Sequence, residues 1–168
     1  MTLSEIRAKA ITPALALLPA RMTSPEAEVM LLAIGLQESR FQHRRQLVGS
    51  PPRPAGPAKS FWQAEQGGGM VTGLLRYHNH SVRELAVGLC AVRGVDPAPR
   101  AVWDAIEHDD VLAAGLARLL MFTDPAKLPR LADADGAWQL YLRTWRPGKP
   151  HPQTWAALYA QALAEVAP

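Results

Sequence analysis

The segment Val29-Met30-Leu31-Leu32-Ala33-Ile34-Gly35-Leu36-Gln37-Glu38-Ser39-Arg40-Phe41 decides how the chain is read. From Val29 to Leu36 it is apolar nearly all round, the pattern of a helix buried at the centre of a domain. Thr23 and Ser24 offer caps, with Pro25 and Glu26 in the first turn, so this helix is expected to open there and run to about Phe41. Ala27, Leu31, Ile34 and Glu38 follow one another at spacings of four, three and four and share a face. A carboxyl group thus ends a stripe that otherwise packs into the core. Partial desolvation and the negative end of the helix dipole both act to raise its pKa. An acid kept protonated near neutral pH can protonate a leaving oxygen, which is the requirement of glycosidic bond cleavage. Position alone leaves a second reading open, an ion pair with Arg40, Arg44 or Arg45.

Helical periodicity continues on both sides. A first helix is expected from Leu3 to Leu18. Ser81 with Glu84 forms a capping box that starts a helix which Gly94 ends. Further helices are expected from Pro99 to Glu107, Asp110 to Phe122, Asp135 to Arg146 and Pro152 to Val166. The exception is Gln42 to Gly69, rich in glycine and proline and without a periodic apolar pattern. Long irregular segments inside compact domains are usually functional or disordered, and Phe61 and Trp62 favour function here. Any sheet should be small.

The 168 residues suit one domain with a real core, 48% hydrophobic and 20% charged. No apolar run approaches the roughly 20 residues of a membrane span, and Pro13 and Pro19 interrupt the stretch from Ile11 to Leu18. The N-terminus lacks the pattern of a cleavable signal peptide. Cys90 is the single cysteine, which excludes an internal disulfide and argues against a cysteine-based zinc site; its apolar neighbours indicate a buried, inert thiol. A net charge of +3, carried mostly by arginine, points to an anionic partner, either a bacterial envelope or nucleic acid.

After a short basic loop comes Gly56-Pro57-Ala58-Lys59-Ser60-Phe61-Trp62-Gln63. A glycine, a small-residue turn, two bulky apolar residues and a Gln would shape a groove wall. Aromatic faces stack on sugar rings, and an amide both donates to and accepts from hydroxyl and acetamido groups. Core packing with a surface amide is the plainer alternative.

The order Gln37-Glu38-Ser39-Arg40-Phe41, a loop, then Gly56 through Gln63 resembles the lytic transglycosylase and goose-type lysozyme family. That family carries a Glu-Ser pair ending a buried helix, followed by a Gly-Leu-Met-Gln turn; Phe61-Trp62-Gln63 stands in the place of Leu-Met-Gln. The stretch His108 to Leu120 is similar to the family's helix bearing Asn-Ile, then Gly, then Tyr-Leu. Trp145-Arg146-Pro147-Gly148 stands where the family often has Tyr-Asn-Ala-Gly, with the Asn replaced. The resemblance covers Ser24 to Gly148. It implies a mainly α, lysozyme-like (α+β) fold with 24–148 as the catalytic core; together with the helical patterns outside that span, the chain reads as a single domain with a small irregular or β lobe, residues 1–22 an N-terminal helix and linker and 151–168 a C-terminal helix. The resemblance implies Glu38 as catalytic acid, Gln63 and Ser39 positioning substrate, and Trp145 or Tyr141 lining the site. In goose-type lysozymes an Asp two residues after the Gln holds the attacking water, and Glu65 occupies that place. The implied activity is cleavage of the β-1,4 bond of peptidoglycan without metal or organic cofactor. Glu38 alone gives an anhydro product; a water held by Glu65, with the carboxyls about 6.5–9.5 Å apart, gives inverting hydrolysis.

Other signals carry less. His78-Asn79-His80 lacks the further ligands of a closed metal site. Arg40, Arg44, Arg45 and Arg53 form either a solvated, acid-paired surface or a clamp for glycan carboxylates. Trp103, Trp138 and Trp155 read as core. The expected context is a phage or prophage enzyme, cytoplasmic until released to the cell wall, or associated with a virion or holin. The rival classes are a non-catalytic tail protein of the same fold and a basic helical DNA-binding regulator, although no helix-turn-helix signature is present.

Overall fold

A computed structural model of the chain describes residues 1–167. Eight α-helices and one β-hairpin are present among them: α1 (Leu3–Ile6), α2 (Thr12–Ala16), α3 (Pro25–Ser39), β1 (Arg45–Val48), β2 (Arg53–Lys59), α4 (His80–Val92), α5 (Pro99–Ala105), α6 (Asp110–Phe122), α7 (Ala134–Trp145) and α8 (Pro152–Val166). The protein is therefore mainly helical with a small β lobe.

The anticipated first helix runs without a gap from Leu3 to Ala16, its middle, Arg7–Ile11, wound as a π turn between α1 and α2. Pro13 has no N–H and its ring crowds the carbonyl four residues back, so the chain widens just before it, with Thr12 bonding to the Arg7 carbonyl. The capping box assigned to Ser81 and Glu84 is not formed. Asn79, a strong N-cap residue two positions earlier, accepts from the Val82 N–H at 3.2 Å and starts α4 at His80. Gly94, at φ +67°, closes that helix as expected.

Helix α3 is buried along its whole middle, Val29 through Leu36. Helix α8 lies along it, and α6 packs against α2, α3, α4 and α7. One continuous apolar core includes Ile6 and Ile11 near the N-terminus and Trp155, Leu158 and Tyr159 of α8. The two terminal helices are thus part of the same core as the segment 24–148. Cys90 lies in it, and burial pushes its thiol pKa up.

The hairpin pairs antiparallel, with Arg45 opposite Lys59 and Val48 opposite Arg53. It is fastened to α5 rather than left loose. Lys59, only 4% exposed, reaches Asp104 at 2.8 Å and Glu107 at 2.9 Å, and its ammonium lies 3.6 Å from the centre of the Trp103 ring. A buried ammonium persists only with such compensation. Trp103 in turn donates its indole N–H to the Pro57 carbonyl at 2.8 Å.

Candidate active site

Glu38 sits in the last turn of α3, where the helix must stop abruptly. Arg40 and Phe41 both take left-handed backbone conformations (φ 54° each), which reverse the chain. The Phe41 ring folds back over Gly35; a Cβ there would fall 2.2 Å from the ring. Ser39 holds the reversal together. Its hydroxyl donates to the Phe61 carbonyl at 2.7 Å and accepts from the Phe41 N–H at 3.2 Å. This residue, expected to position substrate, ties the Glu-bearing helix to the turn at Ser60–Gln63 and so acts on the site from behind.

That turn is itself strained. Ser60 (φ 67°) and Gln63 (φ 50°) are left-handed, and the Gln63 amide nitrogen donates to the Ser60 carbonyl at 2.8 Å. Such conformations persist where surrounding structure over-determines them, and they cluster at functional sites. Phe61 and Trp62 do not form the anticipated groove wall. They are 1% and 0% exposed, so no sugar can stack on them. Phe61 packs edge-on against Phe41 with the Arg44 guanidinium 4.4 Å from its ring centre, and the Trp62 indole donates to the Leu31 carbonyl at 2.9 Å. Two large apolar side chains beside a tight turn contribute more in the core than in water. The turn keeps one functional side chain facing out, that of Gln63.

A cleft of about 1570 Å³ opens in front of these elements. Glu38, Gln63, Glu65, Tyr141 and Trp145 all line it, so the structure gathers five of the eight anticipated residues around one space. Glu65 is exposed in it. The anticipated ion pair between Glu38 and an arginine is not formed: Arg40 bonds the Leu36 carbonyl, Arg44 grips Asp110 at 2.9 and 2.7 Å, and Arg45 lies 3.8 Å from Glu107. Glu38 instead accepts a 2.7 Å hydrogen bond from the Tyr141 hydroxyl. Burial pushes its pKa up to about 7, against the smaller downward pull of that hydrogen bond. Burial and the adjoining carboxyl hold the Tyr141 hydroxyl far above its ordinary pKa, so it remains a donor.

Tyr141 is held in place by aromatic packing. Its ring stacks on Trp155 of α8 (5.4 Å, 16°) and lies 5.2 Å from Trp138, which places Trp138 and Trp155 in the packing anticipated for them. Trp145 donates its indole N–H to the Trp62 carbonyl at 3.0 Å, fastening α7 to the Ser60–Gln63 turn. Several further residues line the cleft, among them the Asp124–Arg143 pair at 2.7 Å, Lys149 and His151. No pattern in the sequence marks them, because the cleft is assembled from five separate stretches. Of the discounted signals, Asn79 is a helix cap, His80 lies 3.4 Å from Glu84, and His78 packs on Tyr77. No group of three or more His, Cys, Asp or Glu side chains is placed to hold a metal ion among the described residues. None of their helices is long and apolar enough to cross a membrane.

Fold and site together define a helical protein with a small β lobe and a cleft that keeps one carboxyl near half-protonation at neutral pH. Comparison of the chain with protein-family models, curated proteins and solved structures yields no match.

Proposed function

We propose that the protein cleaves the β-1,4 bond between N-acetylmuramic acid and N-acetylglucosamine in peptidoglycan, with Glu38 as general acid and then base. The observation that carries this is a carboxyl group with its pKa raised to about 7, held by Tyr141 in the wall of an open cleft. Protonated Glu38 gives its proton to the glycosidic oxygen as the C1–O bond breaks, leaving positive charge shared between C1 and the ring oxygen. The resulting Glu38 carboxylate lies beside that charge and stabilises it. It then takes the proton of the muramoyl C6 hydroxyl as that oxygen bonds to C1, which closes a 1,6-anhydro ring and restores the acid. This is the lytic transglycosylase outcome. The Gln63 amide, held from behind through the Ser60 carbonyl, lines the same cleft and would orient hydroxyl or acetamido groups there.

A second reading is supported by the exposed carboxylate of Glu65 in that cleft. A water held there would replace the C6 hydroxyl and give hydrolysis with a reducing end. Lysis of purified sacculi by the wild type, lost in Glu38→Gln, is the expected result. Lysis unchanged in Glu38→Gln refutes the assignment, and no lysis by either protein favours a structural role. Mass spectrometry of the released fragments separates the two outcomes, since an anhydro end is lighter than a reducing end by one water.

A further inference from the structure

The charges lining the cleft do not balance locally. Three acids face it: Glu38, Glu65 and Asp124. Asp124 is taken up by Arg143, whose guanidinium meets both its oxygens (2.7 and 3.3 Å) and holds its carboxyl below the usual range. Glu38 is largely neutral below pH 7. On the cationic side, Arg143 is neutralised by that pair, and Arg146 and Lys149 remain against the one exposed carboxylate of Glu65, an excess of one positive charge. Both cations are exposed, and neither forms an ion pair among the described residues. Two arginines of the basic loop, by contrast, are spent on protein, Arg44 on Asp110 and Arg45 on Glu107 and the Gly56 carbonyl, and neither they nor Arg53 lines the cleft.

Arg146 is also held where it is. It caps α7 in a left-handed conformation (φ 50°), its Nε donating to the Arg143 carbonyl at 3.3 Å, with Pro147 next in the chain. The following residues to His151 form one lip of the cleft. The far end of that lip is tied to α3, because Gln37 bonds the His151 carbonyl at 3.2 Å and the Thr154 hydroxyl at 3.0 Å. Gln37 immediately precedes Glu38. A lip bearing two unpaired cations is thus coupled by direct hydrogen bonds to the helix turn that carries the acid.

Building on the proposed glycan-cleaving role, we infer that Arg146 and Lys149 form a subsite for the carboxylates of the peptide stems carried by muramoyl residues. A strand lying in the cleft would present its sugars to Glu38 and Gln63 and its anionic stems to the lip. The site would thereby prefer stem-bearing peptidoglycan over neutral chitin-like glycans, whose backbone is otherwise closely similar. The preference should weaken with salt, as expected for exposed charges.

Calorimetry with the Glu38→Gln protein, which removes turnover, tests this with two soluble tetrasaccharides. One is a peptidoglycan fragment carrying its peptide stems, the other an N-acetylglucosamine tetramer. Adding Arg146→Gln and Lys149→Gln should weaken binding of the stem-bearing fragment by about tenfold at low salt, leaving the tetramer unchanged. Arg146→Lys with Lys149→Arg should restore most of the loss. Equal losses on both ligands, no loss on either, or no binding of the stem-bearing fragment to the Glu38→Gln parent would overturn the subsite. The sacculus assay judges the cleaving step separately, since binding is read here without catalysis.

Discussion

Tyr141→Phe gives the most informative perturbation, because it removes one hydrogen bond and leaves the aromatic stack in place. The hydroxyl donates to Glu38 at 2.7 Å and stabilises the charged carboxylate, so its loss raises a pKa that already stands at about 7. A hydrogen bond to a charged group contributes about 1.5–3 kcal/mol. Glu38 is only partly buried, so the lower end applies, equivalent to about one pKa unit. The proposed reaction begins with Glu38 protonated, so its rate should fall as pH rises through that value. The alkaline limb of the kcat/KM profile should therefore move from near pH 7 to about pH 8. At pH 8 the variant would retain about half of its own maximum where the wild type retains about a tenth. Clearing of purified sacculi between pH 5 and 9 at constant ionic strength reads the shift. An alkaline limb that stays in place, or moves towards acid, refutes both the role of the hydrogen bond and the identity of the titrating group.

Three further outcomes follow from the same geometry. Glu38 binds its proton more tightly in the folded state, so the stabilisation from protonation is complete below about pH 4.5 and is lost as pH rises through about 7. The full shift corresponds to at most about 3.4 kcal/mol, and partial exposure reduces it to about 2. Glu38→Gln should accordingly raise Tm by about 5 °C at pH 8 and leave it unchanged at pH 4, as followed by circular dichroism. Ser39→Ala frees the Phe61 carbonyl and the Phe41 N–H; a loss of about 1–2 kcal/mol in urea unfolding is expected, together with a fall in activity although Glu38 is untouched. Gly35→Ala puts a methyl group into the Phe41 ring and should cost about 1–3 kcal/mol through overpacking; an unchanged urea midpoint would show that the Phe41 turn is free to move.

Much of the helix order is legible in the chain because its signals are local. Apolar periodicity, caps such as Ser24 and stops such as Gly94 act within a few residues, and the ends of α6 and α8 lie at the residues their patterns mark. The errors are also local in origin. Two N-cap candidates compete ahead of α4, and the chain reports their types but not which one accepts the bond. Pro13 announces an irregularity without saying that a π turn will absorb it. Phe61 and Trp62 were the harder case, since an aromatic pair beside a polar residue suits a groove wall and a core equally well until neighbours are placed around it.

Composition and spacing were enough to put a carboxyl at the end of a buried helix and a Gln on a tight turn some distance downstream. They could not place Tyr141, 103 residues from Glu38, within 2.7 Å of it, nor hold α8 against α3 through Gln37 and Thr154. Those contacts depend on long-range packing of helices whose facing surfaces carry no mark of their partner. The pKa of Glu38 depends on them too, because desolvation belongs to the assembled cleft and not to the residue. Local signals chose the acid; only tertiary packing gave it a donor, a cavity and a proton to hold at neutral pH.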